Sequence, residues 1–124
     1  KHFINLCVYV SHSSHEKSAD TCENIKMLIH IVCWKYRPDI DEKSRIEHRE
    51  RLAALASFIP NINSLEVGSD ILHLDRSFDT GLVAHFPDRE ALDHYTDHPE
   101  HQAVVAIGRA IAEKVVSVDF IRPF

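Results

Sequence analysis

The fold of this chain is decided by the stretch Leu28-Ile29-His30-Ile31-Val32-Cys33-Trp34-Lys35-Tyr36. It is rich in β-branched and aromatic side chains and is stopped by Arg37-Pro38-Asp39, a pattern that predicts a β-strand. Successive side chains of a strand point to opposite faces. One face carries Leu28, His30, Val32, Trp34 and Tyr36, and the other carries Ile29, Ile31, Cys33 and Lys35. Both faces are mostly apolar, so both need cover from water.

The residues after this strand predict a helix and two further strands. Asp41 to Phe58 show the apolar spacing of a helix, with Asp39 or Asp41 as the N-cap. The predicted apolar stripe of this helix consists of Ile46, Arg49, Leu52, Ala53, Leu55 and Ala56. Short strands are predicted at Leu65-Glu66-Val67-Gly68 and over Phe78 to Phe86.

A second helical region follows, and a proline divides it. Asp88 is a candidate N-cap for its first part. Pro99 has no N–H to donate and disfavours the helical conformation of the residue before it, so the helix is predicted to break there and restart. Lys114 to Ile121 predict a closing strand. The order β-α-β-β-α-β is typical of an α+β, ferredoxin-like fold, here with a kinked second helix.

The length of the chain bears on how its sheet is covered. A chain of 124 residues fits one domain. Its helices suffice to cover one side of a sheet, whereas the first strand needs cover on two. A second copy of the chain is the simplest source of the missing cover, so we expect a homodimer.

Composition excludes several classes of function. The net charge of −5 leaves no basic surface for nucleic acid or anionic lipid. No apolar run approaches the roughly 18–20 residues that a membrane-spanning helix needs. Three cysteines do not make a disulfide framework, and a cytoplasmic location is the simpler expectation. Three glycines argue against nucleotide-binding loops, and we expect no cofactor.

Residues 1–26 are expected to be an extension outside the folded domain, which we place at residues 27–124. The extension shows no sustained periodicity, and the only methionine is Met27. Two alternatives remain for its start. Lys1 with the apolar run Phe3 to Val10 resembles a short secretory signal, and the same run has the composition of a strand.

Five segments resemble the stress-responsive A/B barrel (Dabb) family. They are Met27 to Lys35, Leu65 to Gly68, Asp75 to Asp79, Leu92 to His101 and Val116 to Phe120. The most specific are His30 within its strand and the Tyr95…His98-Pro99-Glu100-His101 segment. The resemblance implies a dimeric α+β barrel in which two four-stranded sheets face each other.

The resemblance also implies candidate site residues. The family includes plant stress proteins and a plant polyketide cyclase, olivetolic acid cyclase, in which a tyrosine and a histidine carry acid–base chemistry. These match Tyr95 and His101, the candidate catalytic residues, and the histidine that matches His30 lines the pocket. Trp34 lies on the same predicted strand face as His30, and Trp34 and His98 join His30 as candidate ligand-binding residues. The implied ligand is a small aromatic or polyketide-like molecule.

Structural roles for the same residues remain alternatives. Tyr95 and His101 could instead stabilise the helix break at Pro99 by hydrogen-bonding the backbone groups that the proline leaves without partners. His30 could be a core histidine whose hydrogen bonds are all made within the protein. His94, His98 and His101 have a spacing that would suit a metal on an unbroken helix, but the predicted break at Pro99 separates them, and we expect no metal site.

Two functional hypotheses follow. In the first, each subunit of the dimer holds a small apolar pocket lined by His30, Tyr95, His98 and His101, with cyclase-type or isomerase-type proton transfer as its chemistry. In the second, the dimer is a stress-related or structural protein, and these side chains only hold the fold. Convergence of Tyr95 and His101 with His30 on a solvent-reachable cavity would favour the first hypothesis.

Overall fold

The computed structural model describes residues 26–122 as one antiparallel sheet with three helices against it. The strands are β1 (Leu28–Tyr36), β2 (Ser64–Ser69), β3 (Thr80–Phe86) and β4 (Ala112–Ile121), and their order in the sheet is β2-β3-β1-β4. The helices are α1 (Glu42–Phe58), α2 (Arg89–Asp97) and α3 (Pro99–Ile111). The predicted α+β, ferredoxin-like class is confirmed. The predicted extension lies outside the described residues, apart from Lys26.

Local signals set the ends of the helices. Asp41 caps α1 by accepting a hydrogen bond from the backbone N–H of Ser44 at 2.8 Å, and Asp88 caps α2 in the same way. His98 separates α2 from α3 in an extended conformation (φ −65°, ψ 136°), and Pro99 opens α3. The predicted break at Pro99 therefore divides two separate helices.

The register of the sheet brings distant residues side by side. β1 lies between β3 and β4 and pairs with both in the antiparallel sense. His30 is opposite Ala84 on one side and Asp119 on the other, and Trp34 is opposite Val115. Directly opposed residues point to the same face of a sheet. His30 and Asp119 therefore share a face, although they are 89 residues apart in the chain.

The helices pack against the face of the sheet that carries Leu28, Trp34 and Tyr36. The side chains that α1 buries in this core are His48, Leu52 and Leu55. This differs from the predicted stripe, because Ile46 is 43% exposed and Ala53 and Ala56 also face water. The predicted stripe omitted His48, which is fully buried in the middle of the real one.

The opposite face of the sheet is apolar at its β4 edge. Val116, Val118 and Phe120 alternate along β4 and are 42%, 52% and 38% exposed. They lie beside Cys33, Ile31 and Ile29 of β1, respectively. Three large apolar side chains open to water on one strand mark a surface suited to association. No helix within residues 26–122 is long and apolar enough to cross a membrane.

Candidate functional site

A cavity of about 320 Å³ opens between the helix-facing side of the sheet and the helices. Its floor includes His30, Val32 and Trp34, the alternate residues of β1. Its roof includes His101, Val104, Val105 and Arg109 of α3, which recur at helical spacing. Leu52 of α1 and Leu82 of β3 also line the cavity. The lining is mostly apolar, and its polar groups come from a few side chains. A site of this kind suits a small ligand that is held by apolar contacts and oriented by hydrogen bonds.

His30 reaches the cavity from β1 with its ring oriented by Asp119. The Nδ1 atom of His30 and the Oδ1 atom of Asp119 form a hydrogen bond across the two strands. An ionised carboxylate only accepts hydrogen bonds, so the Nδ1 atom of His30 carries the proton that is donated. This contact fixes the ring and leaves Nε2 as the nitrogen available to a ligand.

Tyr95 enters the cavity from α2 and packs among three rings. Its ring centroid is 5.1 Å from that of Phe86, 6.0 Å from that of His30 and 4.3 Å from that of His101. The residue is 1% exposed, and burial raises the pKa of Tyr95 to about 12. The phenol therefore keeps its proton at neutral pH and can donate a hydrogen bond to a ligand oxygen.

His101 completes the group from the first turn of α3. The Nδ1 atom of His101 is 3.1 Å from the carbonyl oxygen of Thr96, which can only accept, so Nδ1 donates and Nε2 is left without a proton. Burial lowers the pKa of the His101 imidazole below its ordinary value, and the hydrogen bond to Thr96 opposes this effect. At neutral pH His101 is thus a neutral imidazole whose Nε2 can accept a proton.

Of the five sequence-predicted site residues, the structure brings four together. His30, Trp34, Tyr95 and His101 all line the cavity. His98 does not line it. Instead, the Nδ1 atom of His98 accepts a hydrogen bond from the backbone N–H of Glu100 at 3.1 Å, which caps α3. Within residues 26–122, no group of three or more His, Cys, Asp or Glu side chains could hold a metal ion.

A buried polar cluster lies behind Trp34, beneath the floor of the cavity. The hydroxyl of Tyr36 is 2.7 Å from Nδ1 of His48 and 2.8 Å from Oγ1 of Thr80, and Arg49 donates to Thr80 at 3.2 Å. Burial lowers the pKa of His48 to about 4, so the ring is neutral at neutral pH. The cluster ties α1 to β1 and β3 and so holds the floor of the cavity in place.

Sequence reasoning missed Asp119 and His48. Asp119 follows the alternation of β4, but only the pairing of the first strand with the last shows that it faces His30. The signal for His48 was present in the sequence, because His48, Leu52, Leu55 and Ile59 recur at helical spacing. A histidine is counted as polar in such a pattern, and its hydrogen-bond partners are known only from the structure.

Comparison with known protein families gives a match over almost all of the described chain. The model of the Stress responsive A/B Barrel Domain family matches residues 28–122. An uncharacterized protein of Streptomyces coelicolor is 29% identical over 93 residues, which are 73% of this chain and 96% of that protein.

Solved structures with the same fold come from several organisms. A dimeric ferredoxin-like protein of unknown function from Thermobifida fusca has 22% identity and a TM-score of 0.72, with 80% of this chain and 93% of that chain covered. A dimeric protein from Bacteroides fragilis, also of unknown function and ferredoxin-like fold, has 28% identity and a TM-score of 0.67, with 76% and 94% covered. The hydroxynitrile lyase of Passiflora edulis has 18% identity and a TM-score of 0.72, with 79% and 94% covered.

Proposed function

Because the chain belongs to the stress responsive A/B barrel domain family, we propose that it is a homodimer with a small-molecule site in each subunit. The homodimer is supported by the exposed apolar side chains Val116, Val118 and Phe120 and by neighbours of this fold that are described as dimeric. Two sheets packed face to face would bury these side chains. A cytoplasmic location is part of the proposal, since the sequence has too few cysteines for a disulfide framework.

The proposed chemistry is proton transfer on a small, mostly apolar molecule that carries a carbonyl or enol oxygen. One observation carries this proposal, namely the convergence of His30, Tyr95 and His101 on a single apolar cavity. His101 would accept the proton through Nε2, and the Tyr95 hydroxyl would donate a hydrogen bond to the oxygen on which charge develops. His30, oriented by Asp119, is the second group able to exchange a proton. This is cyclase-type or isomerase-type acid–base chemistry.

A structural role is the second candidate, and a specific contact favours it. His101 and Gln102 both hydrogen-bond the carbonyl oxygen of Thr96, at 3.1 and 2.6 Å, where α2 gives way to α3. His101 therefore braces the helix break. The bracing contact uses Nδ1 alone, so the same side chain can hold the break and still present Nε2 to a ligand.

The lyase among the structural neighbours adds little to the choice of chemistry. At 18% identity, the Passiflora edulis enzyme shares the fold of this chain. The proposal therefore depends on the residues of this chain, and a plain proton-exchange assay tests it without knowledge of the natural substrate.

The probe is 1-phenyl-1,3-butanedione, which has an aromatic ring, two carbonyl groups and an acidic C–H between them. Exchange of that C–H for deuterium in D₂O is followed by NMR, with and without the full-length protein. Binding is followed through Trp34, the only tryptophan of the sequence and a residue of the cavity floor. We expect exchange about 10²-fold or more above the buffer rate.

Two substitutions and a matched control separate catalysis from folding. Tyr95→Phe and His101→Gln should each remove most of the exchange while thermal melting and probe binding persist. His94→Gln is the control, since His94 is exposed on α2 outside this cavity, and exchange should be unchanged. Exchange at the buffer rate in the unmodified protein would overturn the proposed chemistry. A collapse of stability in His101→Gln would favour the bracing role.

A further inference from the structure

The cavity has two ends whose chemistry differs. His30 and Trp34 are four residues apart on one face of β1, a distance of about 13 Å along a strand. His101 and Arg109 both line the cavity from α3, and eight helical residues span about 12 Å. His30 and His101 lie at the end near Tyr95, and Trp34 and Arg109 lie at the other end.

The Gly108 backbone fixes this second end, because it lies directly against Trp34. A Cβ atom at Gly108 would be 3.1 Å from Nε1 of Trp34 and 3.0 Å from Nε2 of His48. Both distances are tighter than an ordinary Cβ contact, so a side chain at this position would push the rings away by a few tenths of an ångström. The helix turn that holds Arg109 is therefore packed on Trp34, about two turns away from His101.

The second end is rich in hydrogen-bond donors. The indole of Trp34 can only donate, and the guanidinium of Arg109 is a permanent cation. Arg109 takes part in none of the ion pairs or side-chain hydrogen bonds formed within residues 26–122. An unpaired cation that lines the same apolar cavity as an indole N–H suits an anion of small size.

His48 packs against the Trp34 ring within the core and supports this end of the cavity. Arg49 donates to Oγ1 of Thr80, and the Tyr36 hydroxyl links Oγ1 of Thr80 to Nδ1 of His48. The Nε2 atom of His48 faces Gly108, at 3.0 Å from where a Cβ atom of that residue would be. This nitrogen is buried and has no hydrogen-bond partner in the described part of the chain.

The middle of the cavity is apolar. Its walls are formed by Val32, Leu52, Leu82, Val104 and Val105. From these features we infer that the ligand is a small monocarboxylate, with its carboxylate at Arg109 and Trp34 and its apolar body along the valine and leucine walls. The inference rests on the proposed function, since it names the class of molecule that the same site takes. In this orientation, the end of the ligand that is remote from its carboxylate lies near Tyr95 and His101.

Octanoate and octanamide test this inference, because they share an apolar chain and differ in charge. Each is titrated into the full-length protein at neutral pH while the fluorescence of Trp34 is recorded. We expect octanoate to bind about tenfold or more tightly than octanamide, which is the worth of about one charge-assisted hydrogen bond to the exposed Arg109. Arg109→Gln should remove this preference by weakening the binding of octanoate far more than that of octanamide. Arg109→Lys should keep part of it.

Arg76→Gln is the matched control. Arg76 is an exposed arginine of the loop between β2 and β3 and does not line this cavity, so its substitution should leave the preference for octanoate intact. Equal affinity for the two compounds, or a preference that survives in Arg109→Gln, would overturn the carboxylate assignment while the cavity stands as a binding site. Failure of both compounds to change the fluorescence at millimolar concentration would overturn the inference and the small-molecule site together.

Discussion

Acid should destabilise this protein through one buried histidine. His48 is fully buried, and its pKa is lowered to about 4 from an ordinary value of 6.5 because burial disfavours the charged ring. The unfolded chain therefore binds a proton at this residue below pH 6.5, whereas the folded chain does so only near pH 4. Stability from this residue is complete above pH 6.5 and is lost as the pH falls toward 4.

The size of the loss follows from the shift. One pKa unit corresponds to about 1.4 kcal/mol. Between pH 7 and pH 4.5, His48 should therefore lower the free energy of unfolding by about 2.5 kcal/mol. Burial also lowers the pKa values of His85 and His101, which act in the same direction. The contribution of His48 therefore has to be isolated by substitution.

The assay is urea unfolding at pH 7 and pH 4.5, at one fixed protein concentration, for the unmodified chain and His48→Gln. Glutamine keeps an acceptor for Tyr36 and does not titrate, so the variant should start less stable and lose about 2.5 kcal/mol less on acidification. His73→Gln, at an exposed loop residue, should lose as much as the unmodified chain. Equal losses in the unmodified chain and in His48→Gln would refute the reasoning.

Three further predictions concern the site and the domain limits. Asp119→Asn should lower the deuterium exchange of 1-phenyl-1,3-butanedione about 10-fold or more and leave thermal melting nearly unchanged. The reason is that an amide no longer fixes which nitrogen of His30 carries the proton. Unchanged exchange would contradict the role of Asp119. Gly108→Ala should destabilise the protein by about 1–3 kcal/mol in urea, since the added methyl would lie 3.0 Å from His48 and 3.1 Å from Trp34; a neutral or stabilising effect would show that the rings move aside freely. Deletion of residues 1–26 should leave the melting temperature nearly unchanged, and a large fall would show that the domain begins before Met27.

Local sequence patterns predicted most of the fold. The β1 strand, the caps at Asp41 and Asp88 and the break before Pro99 depend on residues that are neighbours in the chain, so a reading of the sequence could find them. The buried face of α1 was predicted only in part, with Leu52 and Leu55 correct and His48 missed, because it depends on tertiary contacts. His48 is polar by type and became a core residue only through its bonds with Tyr36 and its place between Trp34 and Gly108.

The candidate site was only partly predictable from the sequence. The resemblance to a family named His30, Tyr95 and His101, while strand alternation alone placed Trp34 on the face of His30. Asp119 could not be assigned without the register between the first and last strands, and Arg109 could not be assigned without the packing of α3 over Trp34. Both depend on pairings across most of the chain, which no local pattern encodes.

The sheet has two apolar faces, and we propose that a second copy of the chain covers the face without helices. Sedimentation equilibrium of the full-length protein at micromolar concentration measures this most directly. We expect a species with twice the chain mass of 14.2 kDa. We also expect that Val118→Asp shifts this species toward the monomer, whereas Ile46→Asp, at an exposed position of α1, does not. A stable folded monomer of the unmodified chain would contradict the account.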